Sequence, residues 1–340
     1  MPSTVLIITN ELDAHADAIV LELHKRNVPV FRFHPEDFPH ACSISIEIQD
    51  DRIEGEIINA YHRVAFKDIC AAWYRQPQSL LAGSRSLTST KLDDYVKMQS
   101  TVTLVTLCES LQTLWVCHPH KLRRANIKAL QLVEASKAGL KTPHTMISNV
   151  PAKAAAFVDL LGKKECAIKP LVALGVSDEQ GYHLPLTTTL PEGHSLDSVA
   201  LAPNIFQPYV HKMADLRCVV IGEKIFSAKI NSQVNPNTRK DWRGGDCQHE
   251  LFSLPEDVEA SIHRLMDSFG INFASLDMIL TPEGEFVFLE LNPYGQWLWL
   301  EEELGLPLVA SMADLLTTNY SPERQRVEHE RGAHRREAYA

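Results

Sequence analysis

Residues 273–293 read FASLDMILTPEGEFVFLELNP, two runs of strand-forming residues around the turn Pro282-Glu283-Gly284. The pattern predicts a hairpin of strands 273–280 and 285–291. Along a strand, residues two apart face the same way, so Glu290 and Asn292 project together. If Thr281 pairs with Phe286 across the turn, Asp277 falls opposite Glu290, and three oxygen donors converge on one face. Two carboxylates and an amide are the hard donors that Mg²⁺ prefers, with coordination left for phosphate oxygens. A solvated hairpin face is the bland alternative. Phe286, Val287, Phe288 and Leu289 mark the strand as buried, however, and buried acids need a reason to be there.

Outward from the hairpin lie separated cations. Lys169 ends the strand-like run Cys166-Ala167-Ile168, where it would face a cleft at the strand's carboxyl end. Lys128 sits near the start of a helical stretch, Arg217 begins the run Leu216 to Ile221, and Arg243 follows Asp241-Trp242 in a glycine-flanked loop. Singly, each reads as a surface or snorkelling residue. Beside a metal hairpin they read as a nucleoside triphosphate site, because phosphoryl transfer depends on positioned cations. No G-x-x-x-x-G-K-[ST] and no G-x-G-x-x-G occurs, which excludes a P-loop fold. Lys229 would point away from Arg217 across a two-residue turn and is left out of the site.

The rest of the chain alternates between strand and helix periodicity. Val5–Ile8 reads as a buried parallel strand, 14–25 as a helix and 28–33 as the next strand, the opening of an α/β domain. A hairpin follows at 44–58, a core strand at 69–74 and a long helix at 89–111. A second unit is expected to open with a helix over 124–138 capped by Gly139, then a strand from Thr142-Pro143, a helix over 151–161 and strand 166–169. Loops and hairpins are expected from 171 to 200, and strands 216–221 and 224–230 turn on Gly222-Glu223. A mobile loop is expected at 235–246 and a helix at 256–269. The charged tail 321–340 reads as disordered. His118-Pro119-His120 reads as a turn with exposed imidazoles rather than a metal pair. Trp297 and Trp299 could stack on a ligand or pack beside the metal site.

A chain of 340 residues exceeds what one core usually serves. Its 43 acidic and 33 basic residues give a net charge of -10, which argues against general affinity for nucleic acid or anionic membrane. Seven scattered cysteines without a C-x-x-C suggest neither a disulfide framework nor a zinc ribbon. No apolar run reaches membrane-spanning length, and no signal sequence is apparent. A reducing cytoplasm is expected.

Asp277 with Phe288-Leu289-Glu290-Leu291-Asn292-Pro293, together with Lys128, Lys169 and Phe206-Gln207-Pro208-Tyr209-Val210, resembles the ATP-grasp ligases. Trp73-Tyr74-Arg75-Gln76-Pro77, Ile230-Asn231-Ser232-Gln233, Asp241-Trp242-Arg243 and Gly295-Gln296-Trp297-Leu298-Trp299-Leu300-Glu301 look more narrowly like the microviridin-type graspetide maturases. The resemblance covers Val5 to about residue 316. It implies a mixed α/β ATP-grasp fold divided into a pre-ATP-grasp α/β domain (1–120), a central domain (121–205), a C-terminal domain with the metal site (206–320) and the tail (321–340).

The resemblance also implies roles. Lys128 and Lys169 would hold the α- and β-phosphates of ATP. Gln207, Tyr209 and Val210 would line adenine, and Asp215 would bind the ribose. Asp277, Glu290 and Asn292 would hold Mg²⁺. Arg217 and Arg243 would meet the γ-phosphate or acyl phosphate, and Arg75 an acceptor carboxylate. Gln76 stands where the family usually has a second basic residue, and Pro208 where an acid is common. The implied activity joins Asp or Glu side chains of a ribosomal precursor peptide, leader plus core, to Ser/Thr hydroxyls or Lys amines. The leader is expected to dock between residues 151 and 200, and the oligomeric state stays open between monomer and homodimer. The rivals are an ATP-grasp amino-acid or glutamate ligase acting on a small molecule or protein terminus, and a nucleotide-binding protein without turnover.

Overall fold

The computed structural model describes residues 4–77, 90–162, 165–172, 176–178, 181–183, 186–190 and 195–320. The expected disordered tail lies outside the described residues, as do 173–175, 179–180, 184–185 and 191–194 of the region 171–200, where a hairpin is expected and one forms between Val176–Asp178 and Gly181–His183.

Val5–Ile8 is apolar on both faces because it lies inside a parallel sheet ordered Val30–Phe33, Thr4–Ile8, Ile69–Tyr74, Leu114–Trp115. A three-stranded antiparallel sheet (Cys42–Gln49, Arg52–Asn59, Arg63–Ala65) packs beside it, and Leu6, Ile8, Phe33, Ile57 and Leu107 fill the space between. The other face contributes Val5, Ile7, Ile19 and Trp73 to a core shared with Phe273, Met278, Phe288, Leu308 and Met312. The N-terminal and C-terminal units are thus fused through one hydrophobic core. Helix Ala14–Lys25 lies against helix Leu308–Leu316, with Arg26 and Asp314 paired at 2.8 Å.

The remaining strands of the described residues form three antiparallel sheets, one of them only the hairpin Val176–Asp178 and Gly181–His183. Of the other two, the smaller is ordered Thr188–Thr189, Cys166–Pro170, Asn204–Pro208, Met146–Ser148, with its own core of Phe157, Val158, Cys166 and Phe206 under helix Pro151–Leu161. The larger is ordered His249–Phe252, Lys224–Ile230, Ala214–Ile221, Phe273–Leu280, Phe286–Asn292. Gly222 makes the tight turn in the left-handed region, φ +57°. Helix Glu256–Phe269 buries Val258, Ile262, Leu265, Met266 and Phe269 along one stripe.

Three expectations need correction. The helix predicted over 124–138 is two helices, Pro119–Ala125 and Lys128–Lys137. Pro119 occupies the first helical turn and the His118 ring caps it, accepting from the His120 N–H at 3.2 Å, so the apparent turn is a helix start. His118 is accordingly half-buried against Trp115, and only His120 is exposed. The strand expected from Thr142-Pro143 begins instead at Met146, Lys141 making only an isolated bridge to Val287. Lastly, Asn204–Pro208, which a boundary at 205/206 would cut, pairs with Cys166–Pro170 and belongs to the smaller sheet. Helix Lys128–Lys137 packs on the larger sheet instead.

Candidate active site

The two carboxylates meet because of a bulge. The hairpin closes with Leu280 opposite Phe286, one residue away from the Thr281–Phe286 pairing expected from the sequence. In that register Glu290 would sit opposite Leu276 and point away from Asp277. Between Asp277/Met278 the register shifts by the extra residue Leu289, and Glu290 comes opposite Asp277 with Asn292 opposite Ser275. A one-residue shift exchanges the faces of a strand, so the bulge turns both donors onto the Asp277 side. Leu289 itself lines the cleft. The expected juxtaposition therefore holds, for a different local reason.

Neighbouring strands add charge to the same face. Arg217 lies opposite Asp277 and donates to Oδ1 at 2.8 Å. Lys128, the first residue of its helix, reaches Glu290 Oε2 at 3.0 Å. Lys212 donates to both oxygens of Asp215 at 2.7 and 2.8 Å, and Ser232 adds a 2.5 Å bond. Arg243 grips Asp241 through two bonds of 2.8 and 2.6 Å. Asp241 stays ionised, its pKa brought to about 2: burial opposes this, and the Arg243 fork outweighs it. Burial would also raise Glu290, but Lys128 and then Lys169 hold it below the usual carboxylate range. Asp277 moves the other way, raised by burial and by the Glu290 charge against the pull of Arg217.

Lys169 differs from these four pairs. No carboxylate of the described residues lies within ion-pair distance of it. Desolvation, then the nearby cations Lys128 and Lys212, lower its pKa despite Glu290 and Asp241. A half-buried cation without a counter-ion is costly unless an anion arrives to meet it.

These groups border a cleft of about 880 Å³, open to solvent, between the smaller and larger sheets. Of the residues singled out in the sequence, Lys128, Lys169, Gln207, Tyr209, Val210, Asp215, Arg243, Asp277 and Glu290 line it. Ala167, Pro170, Ile279 and Leu289 supply apolar wall suited to an aromatic base. Gln207 Nε2 donates to Thr145 Oγ1 at 2.9 Å, the Tyr209 hydroxyl donates to the Arg239 carbonyl at 3.2 Å, and the Tyr209 N–H is already taken by the Glu165 carbonyl. The polar and aromatic lining residues missed as site residues are Thr187, Lys212, Lys240, Asp241 and Trp242. The signal was present: Lys212 precedes Asp215 by three, and Asp241 precedes Arg243 by two.

Three expected site residues lie off the cleft wall. Asn292 sits at the strand end, its Oδ1 accepting from the Tyr294 N–H at 3.1 Å. Arg217 lies behind Asp277, its side chain 7% exposed, and donates to the Gln296 carbonyl at 2.9 Å. It holds Asp277 from behind rather than lining the cleft where a phosphate contact was expected. Gly295 is required beside it, since a Cβ there would fall 2.4 Å from the Ser275 side chain.

Arg75 is the larger correction. It is 1% exposed, lies 3.4 Å from Asp13 and donates to the carbonyls of Tyr294 and Gly295 and to Gln296 Oε1, each at 3.3 Å. An acceptor carboxylate has no access to it. The sequence placed a cation at the end of a parallel strand, where ligands usually bind. It did not reveal that residues 294–296 close over that cation.

His15 completes this junction, its Nε2 accepting from the N–H groups of Trp297 and Leu298 at 3.0 and 3.2 Å. Burial, then the charge of Arg75, lowers its pKa to about 4 against the pull of Asp13. The unfolded chain takes up this proton near pH 6.5. Stability from this group is therefore full above about pH 6.5 and declines as the pH falls from there toward 4. The melting temperature should drop between neutral pH and about pH 5, and drop less in His15→Gln, whose amide oxygen can accept the same N–H groups. Equal drops would remove His15 from the acid response.

The donor set fits magnesium. Asp277 Oδ2 and Glu290 Oε1 have no partner among the described residues, and they project from adjacent strands onto one face with Asn292 nearby.

Residues 124–316 match the model of the RimK-like ATP-grasp domain, and residues 4–123 that of the MvdD pre-ATP grasp domain. Among solved structures, the chain is similar to a Chryseobacterium gregarium RiPP-associated ATP-grasp ligase in complex with ADP and a leader and core peptide. The TM-score is 0.85 at 26% identity, covering 94% of this chain and 98% of that one. It is also similar to the macrocyclase MdnC of Microcystis aeruginosa bound with its precursor peptide MdnA, with TM-score 0.81, 26% identity and coverage of 93% and 99%. Among curated relatives, a probable alpha-L-glutamate ligase of Shewanella denitrificans is 25% identical over 201 residues, covering 58% of this chain. The chain spans 64% of that relative's length.

Proposed function

We propose a function from one premise: the chain belongs to the RimK-like ATP-grasp family. It is an ATP-dependent ligase that activates Asp or Glu side chains of a ribosomal precursor peptide, leader plus core, and joins them to Ser/Thr hydroxyls or Lys amines. The observation that carries this reading is Lys169, without a carboxylate partner among the described residues, facing the Asp277–Glu290 face across one cleft. It supports a phosphate site in which Lys169 reaches from the smaller sheet toward the metal donors of the larger one. The likeness to peptide-bound relatives over nearly the whole chain, N-terminal unit included, favours a peptide over a free amino acid. The similarity to glutamate ligases covers little more than half of it.

In this mechanism the nucleotide lies between the sheets, its base against Ala167, Ile279 and Leu289. Lys128 and Lys169 hold the phosphates, Lys128 exchanging its contact with Glu290 for phosphate oxygens. Magnesium held by Asp277, Glu290 and Asn292 would neutralise charge on the phosphates. A carboxylate oxygen of the peptide attacks the γ-phosphorus, the bond to the β-bridging oxygen breaks, and ADP leaves. Arg243, held over the cleft by Asp241, stabilises the resulting acyl phosphate. The hydroxyl or amine then attacks the acyl carbon and loses its proton, and inorganic phosphate departs with the former carboxylate oxygen. The segment 235–246 that carries Arg243 would limit the access of water. Cys117 and Cys218 take no part: burial pushes both thiols up to about 12. They suit the reducing cytoplasm in which we place the reaction.

The test is incubation with ATP, Mg²⁺ and a Thr/Glu/Asp-rich precursor, followed by mass spectrometry. One water is lost per ring formed, and γ-glutamylation of a small acceptor instead would overturn the peptide reading. Lys169→Ala should retain the melting temperature and weaken binding of a non-hydrolysable ATP analogue by about 2 kcal/mol, roughly thirtyfold. Unchanged affinity in a calorimetric titration would remove Lys169 from the site.

A further inference from the structure

A second groove, away from the nucleotide cleft, runs along helix Thr90–Ser110 and is about 1140 Å³ in extent, open along one side. Lys97, Leu104, Val105 and Cys108 face it at helical spacing from one wall. Tyr74 and Pro77 form its floor, and His120 and Arg123 the opposite wall. The groove mixes apolar side chains, Leu104 and Val105 (51% exposed) among them, with polar ones, and carries bases on both sides.

The charge pattern is unusual for this chain. The protein carries a net charge of -10, yet Lys97, His120 and Arg123 share this groove and none forms an ion pair among the described residues. The one acid on its wall, Glu109, lies 4.0 Å from His118 outside the groove. Positive charges on both walls of a groove that also presents Leu104, Val105 and Tyr74 favour an occupant that is acidic and apolar in alternation. A chain of contacts links the groove to the reaction site. Tyr74 and Pro77 flank Arg75 and Gln76, which hold Tyr294–Gln296, and Gln296 in turn is bonded to Arg217 behind Asp277.

We propose that this groove binds an acidic, apolar-interspersed stretch of the precursor peptide outside the reacting residues, and so selects acidic cores. This deepens the proposed function and rests on it for the identity of the peptide. Binding at the groove restrains the flanking chain while a neighbouring carboxylate reaches the cleft.

The probe is a short fluorescein-labelled peptide in which Glu alternates with Leu and Thr, compared by anisotropy with its Gln counterpart. Wild-type protein should bind the Glu peptide more tightly than the Gln peptide. Lys97→Glu with Arg123→Glu, both at exposed positions, should weaken the Glu peptide about tenfold or more. The affinity for an ATP analogue and the melting temperature should stay unchanged. The proposal is overturned if wild-type protein does not bind the Glu peptide, if the Gln peptide binds as well, or if the double variant binds like wild type. A change of sedimentation from dimer to monomer in the double variant would make the groove a self-interface and overturn it too. The two readings fail differently. Charge-dependent binding without ATP-dependent dehydration of any precursor would reject the ligase reading alone. Dehydration with an unaltered precursor KM in the double variant would reject the groove alone.

Discussion

Glu290→Gln is expected to lower ligase turnover about a hundredfold or more while moving the melting temperature little. The substitution conserves volume and leaves a hydrogen-bonding group beside Lys128, so packing around the strand is maintained. What disappears is negative charge at the one place where Asp277 and Glu290 face each other across the bulge. An amide cannot replace a carboxylate in drawing a divalent cation onto phosphate. Asp277→Asn should behave alike, with an added consequence: Arg217, 7% exposed, loses the partner that fixes it. The double variant should be little worse than either single one, since donors to one ion act as a unit. ATP-dependent dehydration of a precursor across a magnesium series, with melts in parallel, measures this. Near-normal turnover by Glu290→Gln would displace the metal site from this hairpin.

Arg75→Met should cost about 3–5 kcal/mol of stability, because it leaves Asp13 buried without its cation. The carbonyls of Tyr294 and Gly295 lose their donors as well, and the turn that carries Gln296 loosens. Some stability should return when Asp13→Asn is added, since the unpaired charge is then removed as well. Denaturant melts of the single and double variants decide the matter. Full stability with loss of peptide modification alone would restore Arg75 as a substrate contact.

Much of this architecture was legible from local patterns. Helices 151–161 and 256–269 begin at a proline or an acidic first turn and end at glycine, and they occur where predicted. The Gly222-Glu223 turn fixes a register in which Lys229 faces away from Arg217, as expected. The carboxylate pair was legible in outcome but not in cause. Periodicity counts residues along a strand, and a bulge breaks that count without a composition signal, Leu289 being an ordinary strand residue. Arg75 shows the other limit. Its chemistry suited a ligand, but burial is decided by residues 294–296, more than two hundred positions away. Arg217 similarly looked like a phosphate contact until its neighbours across the sheet placed it behind Asp277. Long-range closure, rather than local propensity, separates a ligand-binding cation from a structural one.

The central claim is that a peptide carboxylate is activated in the Lys169 cleft by phosphoryl transfer from ATP. It can be followed by the fate of one oxygen. A precursor carrying oxygen-18 in its Asp and Glu side chains is incubated with the protein, ATP and Mg²⁺, and both peptide and inorganic phosphate are weighed. The account predicts one heavy oxygen in phosphate for each ring, with the peptide lighter by that same oxygen-18 and two protons. Phosphate free of the label, with the peptide unchanged or closed without transfer of its oxygen, would contradict it.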